Sequence, residues 1–159
     1  MNSIIKKMHE LERIINYSFH NIDFLKDAMD ATKIKPSDEY KNDAMAALGD
    51  AILKMLLTEI LYKKGVRDKR EITDAKTIYE TNRSHHTLAK VENTGIIKYA
   101  YNQYGFYDEV GKENSVRSGK DHFPYIEAIV CAIYLDSNID ETRSWIINWL
   151  VPHINKMKK

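Results

Sequence analysis

Two carboxylates stand out because of what surrounds them. The run 44–57 is apolar except for Asp50 and Lys54, and the run 123–135 carries a single charge, Glu127. Taking an ion out of water costs several kcal/mol even after the surroundings relax, so each acid must meet a cation, accept several hydrogen bonds or hold a proton. A Lys or Arg partner for each would satisfy the two separately. A divalent cation shared between them would satisfy both at once, and hard oxygen donors of this kind suit Mg²⁺ or Mn²⁺ better than zinc.

The helix that must carry Asp50 gives it neighbours. At about 100° per residue, Asp43, Asp50 and Lys54 share one stripe, flanked by Ala46 and Ala47, which are too small to cover it. An acidic strip open to water is the expected result. Gly49 costs such a helix about 1 kcal/mol relative to alanine, so it should mark the close approach of another backbone, from a second helix or a second copy of the chain. Glu59 falls toward the apolar side of the same helix and reads as a structural ion-pair partner. His85 and His86 point about 100° apart, which suits surface or packing roles better than a joint metal site, and Cys131 reads as core filler. Phosphate-binding glycine loops and zinc-type Cys/His spacings are absent from the sequence.

The elements that would position these residues are helices throughout, an all-α class. With three prolines, six glycines and no apolar–polar alternation, helices are predicted at 3–16, 22–31, 38–64, 72–81, 83–93, 123–136 and 139–156. The segment 99–120, rich in glycine and aromatic residues, is expected to be mostly irregular. At 159 residues the chain fits one domain, 1–159. No stretch approaches the roughly 18 apolar residues of a membrane span, the N-terminus does not read as a secretory signal, and the lone Cys131 cannot form an internal disulfide; a cytoplasmic protein is expected. Lys and Arg number 24 against 23 Asp and Glu, a net charge of +1, so a nucleic acid would be held by local clusters and not by bulk charge. Three clusters exist: Lys63, Lys64, Arg67, Lys69 and Arg70; Lys112, Arg117 and Lys120; and Lys156, Lys158 and Lys159.

These residues carry a resemblance to a known family. Asn42-Asp43-Ala44-Met45-Ala46-Ala47-Leu48-Gly49-Asp50-Ala51-Ile52-Leu53 resembles the ribonuclease III signature Asn-Glu-Arg-Leu-Glu-Phe-Leu-Gly-Asp-Ala-Val-Leu. The stretch from Pro124 through Glu127-Ala128 to Ala132-Ile133-Tyr134-Leu135-Asp136 is similar to its second acidic helix, Asp-x-Phe-Glu-Ala-Leu-x-Gly-Ala-Ile-Tyr-Leu-Asp. Between them, Thr81-Asn82 through Leu88-Ala89 resembles an Asn-containing helix start.

The resemblance implies a ribonuclease III-type helical endonuclease domain that cuts double-stranded RNA with Mg²⁺ (Mn²⁺ as substitute), as a homodimer through the helix containing Leu48, Gly49 and Ile52. By position it makes Asp50 and Glu127 the metal-binding catalytic acids and puts Asp43 at the first signature Glu, as a third catalytic residue that binds the ion through water or orients the nucleophile. Lys63, Lys64, Arg67, Arg70, Lys112, Arg117 and Lys120 become phosphate contacts, and Asn82 a partner to a 2′-hydroxyl or to the acids. Two positions depart: Ala46 stands for the second signature Glu and Pro124 for the Asp that opens the second acidic helix, leaving two of four usual acids. The small Mini-III branch shares both departures and, like this chain up to Lys159, shows no duplex-RNA-binding module. Asp30, near a usual Thr-His pair, is read as a surface carboxylate in preference to a replacement acid. The alternative function is a ribonuclease III-like dimer that no longer cleaves and acts as an RNA-binding or ribosome-associated scaffold.

Overall fold

The computed structural model describes residues 2–34 and 36–159; Lys35, inside the break expected at 33–37, and Met1 lie outside the described residues. Among the described residues eight α-helices dominate: α1 (Ser3–Ile15), α2 (Asp23–Ala28), α3 (Asp43–Lys63), α4 (Lys69–Glu80), α5 (Asn82–Ala89), α6 (Tyr125–Asp136), α7 (Ile139–Trp145) and α8 (Val151–Lys156). A π-helical turn, Ile146–Leu150, joins α7 to α8 into one long rod.

The two most apolar helices, α3 and α6, form the central pair. Leu53 and Leu56 of α3 and Ile126, Ile129, Val130 and Ile133 of α6 are fully buried between them and their neighbours. Gly49 explains how close they come: a Cβ there would lie 1.7 Å from the backbone oxygen of Glu127. The anticipated close backbone is thus α6 of the same chain. Of the two partners left open for Gly49, it is the helix of the same chain that is found: Gly49 is sealed by α6, and Ile52 is buried as well. Of the three residues, only Leu48 faces outward, and it continues a stripe of exposed apolar side chains, Ala44, Leu48, Ala51, Met55 and Tyr62.

The C-terminal rod is fastened to α1 by stacked Trp145 and Trp149, whose ring centroids are 5.1 Å apart. Their indole N–H groups donate to the carbonyls of Ile15 (2.8 Å) and Ile14 (3.0 Å). Differences from the expected helices have local causes. The second helix stops at Ala28, short of 31, because the next residues pair with another segment: the amide of Tyr101 donates to Met29 and that of Ala31 donates to Tyr101. Residues 38–42 are turn and bridge, so α3 starts at Asp43. The fifth helix ends at Ala89 because Gly95, at φ +75°, turns the chain back so that its amide donates to Lys90. In the segment expected to be irregular, a short antiparallel hairpin pairs Tyr101 with Phe106 and Asn102 with Gly105. No helix among the described residues is long and apolar enough to cross a membrane.

Candidate functional site

The acidic stripe of α3 opens onto a cavity of about 530 Å³. Asp43, Ala46, Ala47, Asp50 and Lys54 line it from α3, Glu80, Thr81 and Asn82 from the bend between α4 and α5, His122 and Pro124 from the segment leading into α6, and Glu127 from the first turn of α6. The positions of both departures, Ala46 and Pro124, therefore face the same space as Asp50 and Glu127.

The close α3–α6 packing at Gly49 brings the carboxyls of Asp50 and Glu127 within hydrogen-bonding reach. Burial, and then the neighbouring Asp50, push Glu127 up to about 8, so at neutral pH it holds a proton and donates it to Asp50. Burial opposes the ionisation of Asp50 as well, but the hydrogen bond from Glu127 and the ammonium of Lys54 hold it below the ordinary carboxylate range. Lys54 sits one turn along α3 with its Nζ on Oδ1 of Asp50.

Asp43 has its own cation. Arg117 donates to its Oδ1 at 2.6 Å, the amide of Tyr40 donates to its Oδ2 at 2.7 Å, and Nε2 of His122 lies 4.0 Å away. Burial works against the charge, yet Arg117 and Tyr40 hold the carboxyl below its usual range. Arg117 also lies over the Tyr40 ring at 3.7 Å, and its carbonyl accepts the Tyr125 hydroxyl at 2.7 Å. This corrects the reading of Arg117 as a phosphate contact: it is half-buried and its charge is taken up by Asp43 inside the protomer.

Glu80, a fourth carboxylate, was missed in the sequence. It lies 3.3 Å from Lys76 one turn earlier, with 13% of its side chain exposed. An acid at the C-terminal end of a helix opposes the helix dipole, and that misplacement was the available signal. Of the four carboxylates lining the cavity, Asp43, Asp50 and Glu80 each have a Lys or Arg within 4.0 Å; among the described residues Glu127 has none.

The other expected residues are dispersed. Asn82 lines the cavity, and its Nδ2 donates to the carbonyl of Asp121 at 3.1 Å. Lys63, Lys64, Arg67 and Arg70 are exposed; Lys63 and Lys64, at the far end of α3, lie about 20 Å along the helix from Asp50 at 1.5 Å per residue, and Arg67 and Arg70 follow beyond it. Arg67 there stacks on Tyr62 at 3.7 Å and donates to its carbonyl, while Lys63 is 3.7 Å from Glu59. Glu59 pairs with Arg143 at 2.5 Å, in the structural role read for it. Lys112 and Lys120 are exposed, and Lys120 lines a neighbouring cleft. Asp30 lies outside the cavity, accepting from the amide and hydroxyl of Thr32. His85 is fully buried beneath the site; its Nε2 bonds the Tyr79 carbonyl, its Nδ1 has no partner, and burial pushes it down to about 4. Burial pushes the Cys131 thiol up to about 11, as befits a core residue.

A divalent ion fits the Asp50–Glu127 pair on chemical grounds: both donors are oxygen, Glu127 lacks a cation, and the cavity is open to water. Mg²⁺ is commonly held by one or two carboxylates while waters and substrate phosphates fill its remaining positions. No group of three or more His, Cys, Asp or Glu among the described residues is close enough to hold a metal, so two carboxylates are what the protein itself offers.

Comparison with known proteins adds the following. The family model described as "Ribonuclease III domain" matches residues 43–138. The chain is 28% identical over 158 residues to ribonuclease 3 of Rickettsia conorii, covering 91% of this chain and 63% of the relative. It is 30% identical over 151 residues to that of Rickettsia felis, covering 86% and 60%. The chain thus spans about three fifths of the length of these curated relatives. A solved nuclease domain of ribonuclease III from Campylobacter jejuni, described as flexible in a region involved in dimer formation, superposes with a TM-score of 0.68 at 22% identity over 96% of each chain. A second structure of that domain gives 0.61 at 22% identity, over 98% of this chain and 96% of the other. At that identity the likeness is one of fold.

Proposed function

This chain belongs to the ribonuclease III family, and on that premise we propose that it is a metal-dependent endoribonuclease acting on double-stranded RNA, with Asp50 and Glu127 as its metal-holding acids. The observation that carries the reading is the convergence of these two side chains, from the two most apolar helices, on one open cavity in which Glu127 has no cation of its own. A bound divalent ion supplies Lewis-acid polarisation of water and of the scissile phosphate. The protein supplies the rest. Asp50 and Glu127 hold and orient the ion, Arg117 keeps Asp43 fixed at the rim, and the pairing of Asn82 with Asp121 shapes the entrance. The absence of carboxylates at Ala46 and Pro124 supports reading the site as one of the small Mini-III type.

Duplex RNA presents a wide, shallow minor groove with 2′-hydroxyls and phosphates, so recognition is by shape more than by sequence. The exposed stripe of Leu48, Ala51, Met55 and Tyr62 on α3 is the surface through which two copies would pair, setting two cavities along one duplex.

The test is cleavage of a duplex RNA of some tens of base pairs in Mg²⁺ or Mn²⁺ and in EDTA. Cutting is expected only with metal, and Asp50→Asn or Glu127→Gln should abolish it while leaving the fold and the dimer intact. Binding without cleavage under every metal would replace this reading with that of a non-cleaving RNA scaffold.

A further inference from the structure

A second cavity of about 500 Å³ lies beside the first and has the opposite charge. Arg83 and His86 reach it from one face of α5, at the three-residue spacing that aligns side chains along a helix, and Lys90 reaches it from just past the helix end. Lys120 and Lys159 complete its rim. Among the described residues no acidic side chain lines it. The four exposed cations Arg83, Lys90, Lys120 and Lys159 have no carboxylate within 4.0 Å among the described residues. Burial and the charge of Lys90 hold His86 below its ordinary value, so at neutral pH it adds a hydrogen-bonding ring and no further charge.

The wall between the two cavities is thin. Asn82 faces the acidic cavity and the very next residue, Arg83, faces the basic one. Across from them a tight turn, closed by the amide of His122 donating to Gly119, presents Lys120 to the basic side and His122 to the acidic side. The bond from Asn82 to the carbonyl of Asp121 ties the turn to the start of α5.

We propose that this basic cleft seats a backbone phosphate of the RNA strand being cut, next to the phosphate at Asp50 and Glu127. The proposal rests on the nuclease reading above and extends it. Unpaired cations beside a cavity whose carboxylates are already matched by cations or protonated give a polyanion an electrostatic anchor next to it, one that the cavity itself does not offer as a free charge. The shared wall sets the register, so that a strand crossing Asn82 lies in both cavities at once.

The experiment uses the Glu127→Gln protein in EDTA, with binding to a labelled RNA duplex followed by fluorescence anisotropy over a range of salt. Adding Arg83→Gln and Lys120→Gln removes two exposed cations that hold no structural bond. The slope of log Kobs against log salt should become shallower by about 1 to 2, at about 0.9 per phosphate contact, and affinity near 0.1 M salt should fall roughly tenfold. An unchanged melting temperature shows that the fold is intact. Unchanged slope and affinity overturn the cleft and leave the nuclease reading standing. Failure of the Glu127→Gln parent to bind duplex RNA at all, in EDTA and with Mn²⁺ alike, overturns both. Inorganic phosphate and vesicles of anionic lipid are run alongside; if the substitutions weaken binding to these while duplex affinity is unchanged, the cleft serves another anion and the proposal fails.

Discussion

Replacing Glu127 by glutamine should make the metal-free protein more stable, and by an amount that depends on pH. Glu127 is pushed up to about 8 in the folded protein from an ordinary 4.5. Between those values the folded state binds a proton that the unfolded state has released. Stability from this group is therefore complete below pH 4.5 and is lost as pH rises toward 8. At about 1.4 kcal/mol per pH unit the interval sets a ceiling of about 5 kcal/mol. Water reaching the open cavity, and the sharing of repulsion with Asp50, bring the expected loss to about 2 to 3 kcal/mol. Glutamine keeps the shape of the protonated acid and can still donate to Asp50. Urea unfolding in EDTA should show the two proteins equal near pH 4.5 and the variant more stable by about 2 to 3 kcal/mol at pH 9. Saturating Mn²⁺ should reverse the order at pH 9, since an ion present at about 1,000 times its Kd stabilises the native state by about 4.1 kcal/mol and the variant has lost a ligand. A variant that is less stable at both pH values, by the same amount, would show that the Glu127 carboxylate is satisfied in the folded protein, and the reasoning would fail.

Other consequences can be read in the same terms. Gly49→Ala places a methyl group 1.7 Å from the Glu127 carbonyl; forcing α3 from α6 should cost about 3 kcal/mol or more, seen as a lowered melting temperature together with loss of RNA cleavage. Lys54→Met removes the cation held by Asp50, so calorimetry should show Mn²⁺ binding tighter by about threefold to tenfold; unchanged affinity would mean that Lys54 does not compete for Asp50. Leu48→Glu puts a charge into the exposed stripe of α3, and sedimentation should then show a monomer whose melting is little altered apart from the loss of dimer.

How much of this was legible in the sequence depends on the range of the interaction. Asp50 and Glu127 could be paired because each is a lone acid in a long apolar run, and the runs themselves mark α3 and α6. Gly49 announced a close backbone, but helical periodicity says only which side must be approached, and both α6 and a second copy met that condition. Lengths set by distant partners were not readable: α2 stops where Met29 and Ala31 bond with Tyr101, seventy positions on. Arg117 looked like any cation in a basic cluster, since its partner Asp43 lies 74 residues away. Glu80 looked like half of a solvated pair with Lys76, and only the bend at Thr81 turns it into the cavity.

The charge of the site argues for how it would be used. Three of its four carboxylates are already matched by Arg117, Lys54 and Lys76, and the fourth is protonated until something cationic arrives. A dication entering without RNA must displace Lys54 from Asp50 and the proton from Glu127, and gains only two carboxylates for doing so. With a strand bound, phosphate oxygens add the negative ligands that Ala46 and Pro124 no longer supply. Metal and RNA should therefore bind with positive coupling: duplex RNA lowers the apparent Kd for Mn²⁺, and by linkage Mn²⁺ lowers that for RNA by the same factor. Calorimetric titration of Mn²⁺ into the protein with and without an uncleavable duplex measures that factor, and a value of one would mean that the two carboxylates hold the ion unaided.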